Sequence, residues 1–332
     1  PDDTMSNRQR GADLLDADAV ARAVRDAEPA QIYHLAGASH TGASWAKPGE
    51  YLDIHVRGTH HLIEAVRRFA PRCRLLIVSS GMIYRPHDRP VTETDALGPW
   101  SPYALSKLAE DQLALYTAVH DQLDIVVARP FNHIGPGQAS TFAASSFARQ
   151  IAEIERGGVA PTICVGNLDT ARDICDVRDV VTAYEALMAT GRTGQAYNIC
   201  RGETIVMSAL LDQLIALSPV TVTREQDAAR LRPNDVPYFA RAPSSTATSC
   251  SRARWPTSST TGVDSSRRGA EPHGGLLRDR PTTHAHRRRQ LRAAPPLSHV
   301  VASRPPRTDG ARDERARAAA HEPARVPAGR SR

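Results

Sequence analysis

Short apolar runs and helix-period stretches alternate along the first 239 residues of the chain. Positions 31–36, 74–78, 124–128, 162–165 and 196–199 have the length and apolar content of buried strands, and a further short run stands at 220–223. Between them, 50–69, 103–120, 142–156, 177–189 and 207–217 repeat apolar residues at the three- and four-residue spacing of a helix packed on one side. That alternation predicts an α/β fold on a doubly wound parallel sheet, because parallel strands need helical crossovers to join them. From 240 onward the pattern stops. Residues 240–332 are rich in Arg, Pro, Ser and Ala without a sustained period, and are expected to be disordered because they hold too little apolar surface to bury.

The predicted strand at 74–78 delivers Ser79-Ser80-Gly81-Met82 at its C-terminal end, where ligands bind in open α/β sheets. Further along, Pro102 suits the first turn of a helix that carries Tyr103 and Lys107. Four residues apart, the two share one helix face. An ammonium beside a phenol stabilises the phenolate, which suits the pair to general acid/base work coupled to hydride transfer. Tyr-x-x-x-Lys alone is a common surface spacing. Here a strand and a serine precede it, and the next strand runs into Pro130-Phe131-Asn132-His133-Ile134-Gly135-Pro136-Gly137, so the polar residues of a βαβ crossover gather at one edge.

With these pieces in place, the chain resembles the extended short-chain dehydrogenase/reductase family, and within it the nucleotide-sugar enzymes. The resemblance runs from Asp13 to Tyr238 and rests on Asp13-Leu14-Leu15-Asp16, His34-Leu35-Ala36-Gly37, Gly58-Thr59, Ser79-Ser80, Tyr103-x-x-x-Lys107, Arg129-Pro130-Phe131-Asn132-His133, Asp173-x-x-Asp176-Val177-Arg178-Asp179 and Arg232-Pro233-x-Asp235-Val236. The turn from Phe131 to Gln138, with Val165-Gly166-Asn167-Leu168-Asp169 and Arg172-Asp173, looks most like the GDP-mannose 4,6-dehydratase and GDP-4-keto-6-deoxy-mannose reductase group. The resemblance implies a Rossmann-like sheet, NADP or NAD as cofactor, and a GDP-sugar as substrate. It implies catalysis by Ser80, Tyr103 and Lys107, and cofactor contacts from Asp13, Leu14, Leu35, Ala36, Gly37, Ser39, Tyr103, Lys107 and His133. Substrate contacts fall to Asn132, Asn167, Leu168, Arg172, Arg232 and Asp235, with Arg232 as a guanidinium fork for diphosphate. His34 reads as structural, and His55 stands where the family has Asn. The resemblance further implies a homodimer paired through 50–69 and 103–120.

Dehydration must remove a proton from C5 and expel the C6 hydroxyl, for which the family pattern places an acidic residue shortly after the catalytic serine; here those places hold Gly81 and Met82. The expectation is therefore NAD(P)H-dependent reduction of GDP-4-dehydro-6-deoxy-D-mannose to GDP-D-rhamnose. A nucleotide-sugar 4-epimerase or a 4,6-dehydratase remains an alternative.

Residues 1–12 read as a ragged lead-in, 13–239 as the enzyme domain (cofactor part mainly 13–135, substrate part interleaved at 136–239), and 240–332 as a disordered or frame-shifted tail. No Gly-rich phosphate turn stands before Gly37, so the domain reads as N-terminally truncated, with an unpaired edge beside 31–36. A reading of another class stays open: a non-catalytic fragment with a basic tail. Charge supports the division. Residues 1–239 carry 23 Lys or Arg against 29 Asp or Glu, whereas 240–332 carry 19 Arg against 7 acids. Arginine runs without interleaved aromatics make nucleic acid a weak partner. The five cysteines are scattered without a C-x-x-C pair, as expected of free thiols in a reducing cytoplasm. No metal cluster, signal pattern or membrane-length apolar run is apparent.

Overall fold

The computed structural model describes residues 11–87, 89–231, 238–239 and 300–303. Helix α1 (Ala17–Ala27) opens the described chain, capped by Asp16, whose carboxylate accepts from Ala19 N at 2.9 Å. The chain continues through β1 (Gln31–His34), a short α2 (Pro48–Leu52), α3 (Thr59–Phe69), β2 (Arg74–Val78), α4 (Pro102–His120) and β3 (Ile125–Pro130). Next come β4 (Asn132–Ile134), α5 (Ala143–Glu155), β5 (Thr162–Val165), β6 (Ala171–Asp176), α6 (Val177–Thr190), β7 (Ala196–Ile199), β8 (Thr204–Val206), α7 (Met207–Ala216) and β9 (Thr223–Gln226). The two-residue β10 (Tyr238–Phe239) and β11 (Val300–Ser303) complete the set.

Strands β1, β2, β3 and β7 pair in parallel, and strand alternation divides their side chains between two helical layers. Leu75 and Ile77 of β2 and Ile125 and Val127 of β3 point to one face, where they meet α1, α3 and α4. Leu76, Val126 and Ala128 point to the other, against Val180, Ala183, Tyr184 and Leu187 of α6. This is the expected doubly wound architecture. A separate apolar cluster joins α5, β5 and α7 through Phe147, Ile151, Ile163, Leu210 and Leu211. Small sheets β10-β6-β4 and β5-β9 lie outside the main sheet, with β8 paired to β6.

Four expectations change. The strand expected at 220–223 forms three residues later as β9, exposed throughout and held by its pairing with β5. The predicted helix at 50–69 is interrupted by a π-helical stretch, Asp53–Gly58, which places His55 and Gly58 inward. An extra residue in a helical turn shifts the face presented on either side, as π-bulges do. The edge beside β1, expected to be unpaired, carries β11 in antiparallel register, Gln31 opposite Ser303 and His34 opposite Val300. Four residues of the 240–332 segment, expected to be without structure, thus form a strand. Pairing with β11 gives the backbone N–H and C=O groups of that edge their partners.

Leu75 is fully buried between strand neighbours and α3. Replacement by Ala is expected to cost about 2–5 kcal/mol, read as a lower urea midpoint at unchanged slope. An unchanged midpoint would contradict the placement of β2 in the core.

Candidate active site

The C-terminal ends of β1, β2 and β3 bring together the turn His34-Leu35-Ala36-Gly37, the pair Ser79-Ser80, and Asn132-His133. Helix α4 crosses beneath with Tyr103 and Lys107 in its first two turns. Ser101 caps it by accepting from Ala104 N at 3.1 Å, and Pro102 needs no N–H at that place. Ser80 caps the short turn 81–83 and accepts from Met82 N at 3.1 Å, leaving its O–H to donate.

Lys107 is nearly buried. Its Nζ donates to Val78 O at 2.9 Å and to Glu110 Oε2 at 2.7 Å. Glu110 Oε1 accepts from Thr59 Oγ1 at 2.9 Å, and Thr59 Oγ1 lies 2.8 Å from His34 Nε2. Because the threonine hydroxyl donates to the carboxylate, His34 Nε2 must carry the proton, which fixes the tautomer. The Tyr103 ring meets Tyr51 and His55 edge-on, with centroids 6.3 and 5.8 Å away.

His55 is completely buried, with both ring nitrogens used. Ala38 N–H donates to Nε2 at 3.0 Å; Nδ1 therefore donates to Ser106 Oγ at 2.8 Å, and Ser106 donates onward to Tyr103 O at 2.8 Å. His55 thus makes a hydrogen-bonded bridge from the 36–38 turn to α4. Gly37 makes room for it: a Cβ there would lie 2.9 Å from His55 Nε2 and 3.5 Å from Lys107 Nζ.

The remaining predicted residues fall in several places. Asp13 closes a turn onto Leu15 N at 2.9 Å, and Leu14 packs against Gly58. Leu35 and Ser39 are exposed and Ala36 is buried. Asn132 is exposed, and half-buried His133 donates from Nδ1 to Phe131 O at 3.1 Å. Asn167 accepts from Asp169 N at 2.9 Å, while Leu168 packs at the edge of the α5–α7 cluster. Arg172 donates to Ala171 O at 2.9 Å. Arg232 and Asp235 lie outside the described residues.

Sequence reading missed Glu110, Asp111, Ser106 and the pairing of Arg129. Arg129, buried on β3, is held by both oxygens of Asp111 at 2.8 Å and donates to Tyr84 Oη at 2.8 Å. The signal was present: Glu110 and Asp111 fall on the same helical stripe as Ala104, Lys107, Ala114 and Ala118, all buried. Among the described residues no group of His, Cys, Asp or Glu could hold a metal, and no helix is long and apolar enough to cross a membrane. Cys73, Cys175 and Cys200 are buried, and burial pushes the Cys73 thiol up to about 12; Cys250 lies outside the described residues.

A parallel sheet with a serine, tyrosine and lysine at its strand ends defines the extended short-chain dehydrogenase/reductase class. Within it, the family model described as GDP-mannose 4,6 dehydratase matches residues 4–238, and the chain belongs to that family. It is 37% identical over 207 residues to GDP-6-deoxy-D-mannose reductase of Pseudomonas aeruginosa, covering 61% of this chain and 68% of that protein. GDP-mannose 4,6-dehydratase of Yersinia enterocolitica is 30% identical over 51% of this chain, which spans only 46% of that enzyme's length. Among solved structures, RMD from Pseudomonas aeruginosa complexed with NADPH superposes with a TM-score of 0.66 at 34% identity, covering 70% of this chain and 78% of that one. DesIV, a dTDP-glucose 4,6-dehydratase from Streptomyces venezuelae with NAD and TYD bound, gives 0.60 at 26% identity, covering 69% of each chain.

Burial first, then the Lys107 charge, lowers His34 to about 3 and His55 to about 2. An unfolded imidazole titrates near 6.5, so below that pH the unfolded chain takes up protons that the folded chain refuses. Their contribution to stability is therefore complete above about pH 6.5 and is lost as pH falls towards 3, by up to about 1.4 kcal/mol per pH unit for each histidine. Urea midpoints are expected to fall between about pH 7 and about pH 5, and His55→Asn to flatten that fall. An identical pH dependence in the variant would contradict the assignment.

Proposed function

We propose that this chain is an NAD(P)H-dependent 4-keto reductase that converts GDP-4-dehydro-6-deoxy-D-mannose to GDP-D-rhamnose. The observation that carries the reading is the identity of the two residues after Ser80. A dehydratase must take a proton from C5 and assist loss of the C6 hydroxyl, and the pattern of the family this chain resembles puts the acidic residue for that work at this place. Gly81 lies flat against Phe131, and a Cβ on it would be 2.8 Å from the ring. Met82 offers a thioether, which accepts from Thr41 Oγ1 at 3.7 Å. Neither can exchange a proton. The identity to the Pseudomonas aeruginosa reductase supports the same reading.

The residues present fit a nicotinamide dinucleotide at the strand ends: Leu35, Gly37 and Ser39 are exposed where β1 ends, and the Ser80 hydroxyl keeps its O–H to donate. In this reading the turn Leu35, Ala36, Gly37 and Ser39 runs along the cofactor, Asp13 and Leu14 face its adenine end, and His133 its nicotinamide end. When bound, the reduced nicotinamide supplies the hydride. Tyr103 gives its phenolic proton to the oxygen of the C4 carbonyl, and the Lys107 ammonium stabilises the phenolate that remains. Ser80 donates its O–H to the same oxygen. Asn132, Asn167, Leu168 and Arg172, with Arg232 and Asp235, form the GDP-sugar side.

The chain also forms a homodimer in this reading. Leu105, Tyr116 and Val119 share one exposed face of α4, and Leu52 is exposed on α2.

Calorimetry is expected to show NADPH or NADH binding, and the 4-keto sugar is expected to be reduced. Tyr103→Phe should keep cofactor affinity while lowering kcat by about 10²–10⁴-fold. Absence of cofactor binding, or conversion of GDP-mannose to its 4-keto product, contradicts the reading. Light scattering should give twice the 36.0 kDa chain mass; a monomer removes the dimer.

A further inference from the structure

Two carboxylates sit side by side on the buried face of α4, and they are committed differently. Both Asp111 oxygens hold Arg129, at 2.8 Å each. Glu110, fully buried one residue earlier, spends Oε2 on Lys107 and Oε1 on Thr59. Lys107 therefore has Glu110 as its counterion, although Asp111 is adjacent in sequence. The other groups around the ammonium are weak in charge. His34 from β1 and His55 from the π-helical stretch are both kept neutral by burial, and Tyr103 is on the same helix. The Val78 carbonyl of β2 supplies the second contact.

We propose that Glu110 is a positioning residue: it locks the Lys107 ammonium against the end of β2 and thereby sets the pH range over which Tyr103 donates its proton. The inference rests on the reductase reading for its second half, and on geometry alone for its first. The chain from Glu110 through Thr59 stops at His34, whose Nδ1 is buried without a hydrogen-bond partner among the described residues. Such a chain orients the carboxylate and conducts no proton to solvent. Burial raises the Glu110 carboxyl and Asp111 adds to the rise, while the Lys107 ammonium and the Thr59 hydroxyl oppose it; these two contacts are what favour its charged form. Replacing it with a neutral amide leaves the ammonium without its counterion one helical turn from Tyr103, and a positive charge there favours the phenolate.

The sequence makes this testable without turnover, because the chain contains only two lysines, Lys47 and Lys107. Lys47 is exposed and pairs with Glu50 at 2.9 Å. In protein labelled with ¹⁵N-lysine, the Lys107 ammonium protons of the parent are expected to exchange with water at least about tenfold more slowly than those of Lys47, and E110Q to remove that protection. E110D, which keeps the charge on a shorter stem, serves as the second variant. In the reductase assay the alkaline limb of kcat/KM is expected to move to lower pH in E110Q and to return towards the parent position in E110D. Equal Lys107 exchange in parent and E110Q overturns the lock. A parent-like alkaline limb in an active, folded E110Q, even with reduced kcat, overturns the control of Tyr103, since a merely structural role lowers rate without moving the limb. A protected Lys107 in a parent that reduces no sugar supports the lock and refutes the reductase reading alone.

Discussion

Four charges are buried beneath one helix, and their pairing ties the central sheet together. Burying an ion costs several kcal/mol even after relaxation, and the cost is returned only when each charge meets an opposite one with its remaining donors and acceptors used. Here Lys107 meets Glu110 and Arg129 meets Asp111, so the cluster is neutral. Its contacts reach every parallel strand of the main sheet. Glu110 is linked through Thr59 to His34 on β1, Lys107 to Val78 on β2, and Arg129 stands on β3. Tyr84, which takes a hydrogen bond from Arg129, donates to Asn198 on β7. The position of α4 is therefore fixed by charges that tolerate little displacement, in addition to the apolar contacts of Ala114 and Ala118.

That rigidity serves the chemistry proposed for the strand ends. An acid that protonates a carbonyl as hydride arrives must hold its place to within a fraction of an ångström. The Tyr103 backbone carbonyl is held by Ser106, Ser106 by His55, and His55 by the backbone of Ala38. The turn proposed to carry the cofactor and the helix proposed to carry the acid are thus joined by one imidazole. The π-helical stretch that turns His55 inward is the local irregularity that makes this join possible.

The sequence showed the frame of the fold more clearly than its supports. Runs such as 74–78 and 124–128 announce themselves because strands covered on both faces must be apolar throughout. Helix α1 is hard to read from its residues: only Val20 and Val24 of its inward face are buried, among Ala, Arg and Asp. Strand β6 carries too many polar residues to read as a strand, since it includes buried Asp173, whose carboxylate holds the backbone N–H groups of Arg201 and Gly202, and β8 is only three residues long. Ser80, Tyr103 and Lys107 could be singled out because their types and spacing carry chemistry. Glu110 could not, because a carboxylate on a helix is usually solvated, and only the tertiary fold shows that this one is enclosed.

The account stands on hydride delivery to C4 of the sugar with a proton from Tyr103. The most direct measurement is to supply GDP-4-dehydro-6-deoxy-D-mannose and NADPH deuterated at the nicotinamide C4 in separate experiments on each face, and to locate deuterium in the product by NMR. The account predicts deuterium at C4 of the product sugar from one of the two labelled faces, with C5 and C6 unlabelled. Recovery of unreduced 4-keto sugar, or a product with no deuterium at C4 from either labelled face, would contradict it.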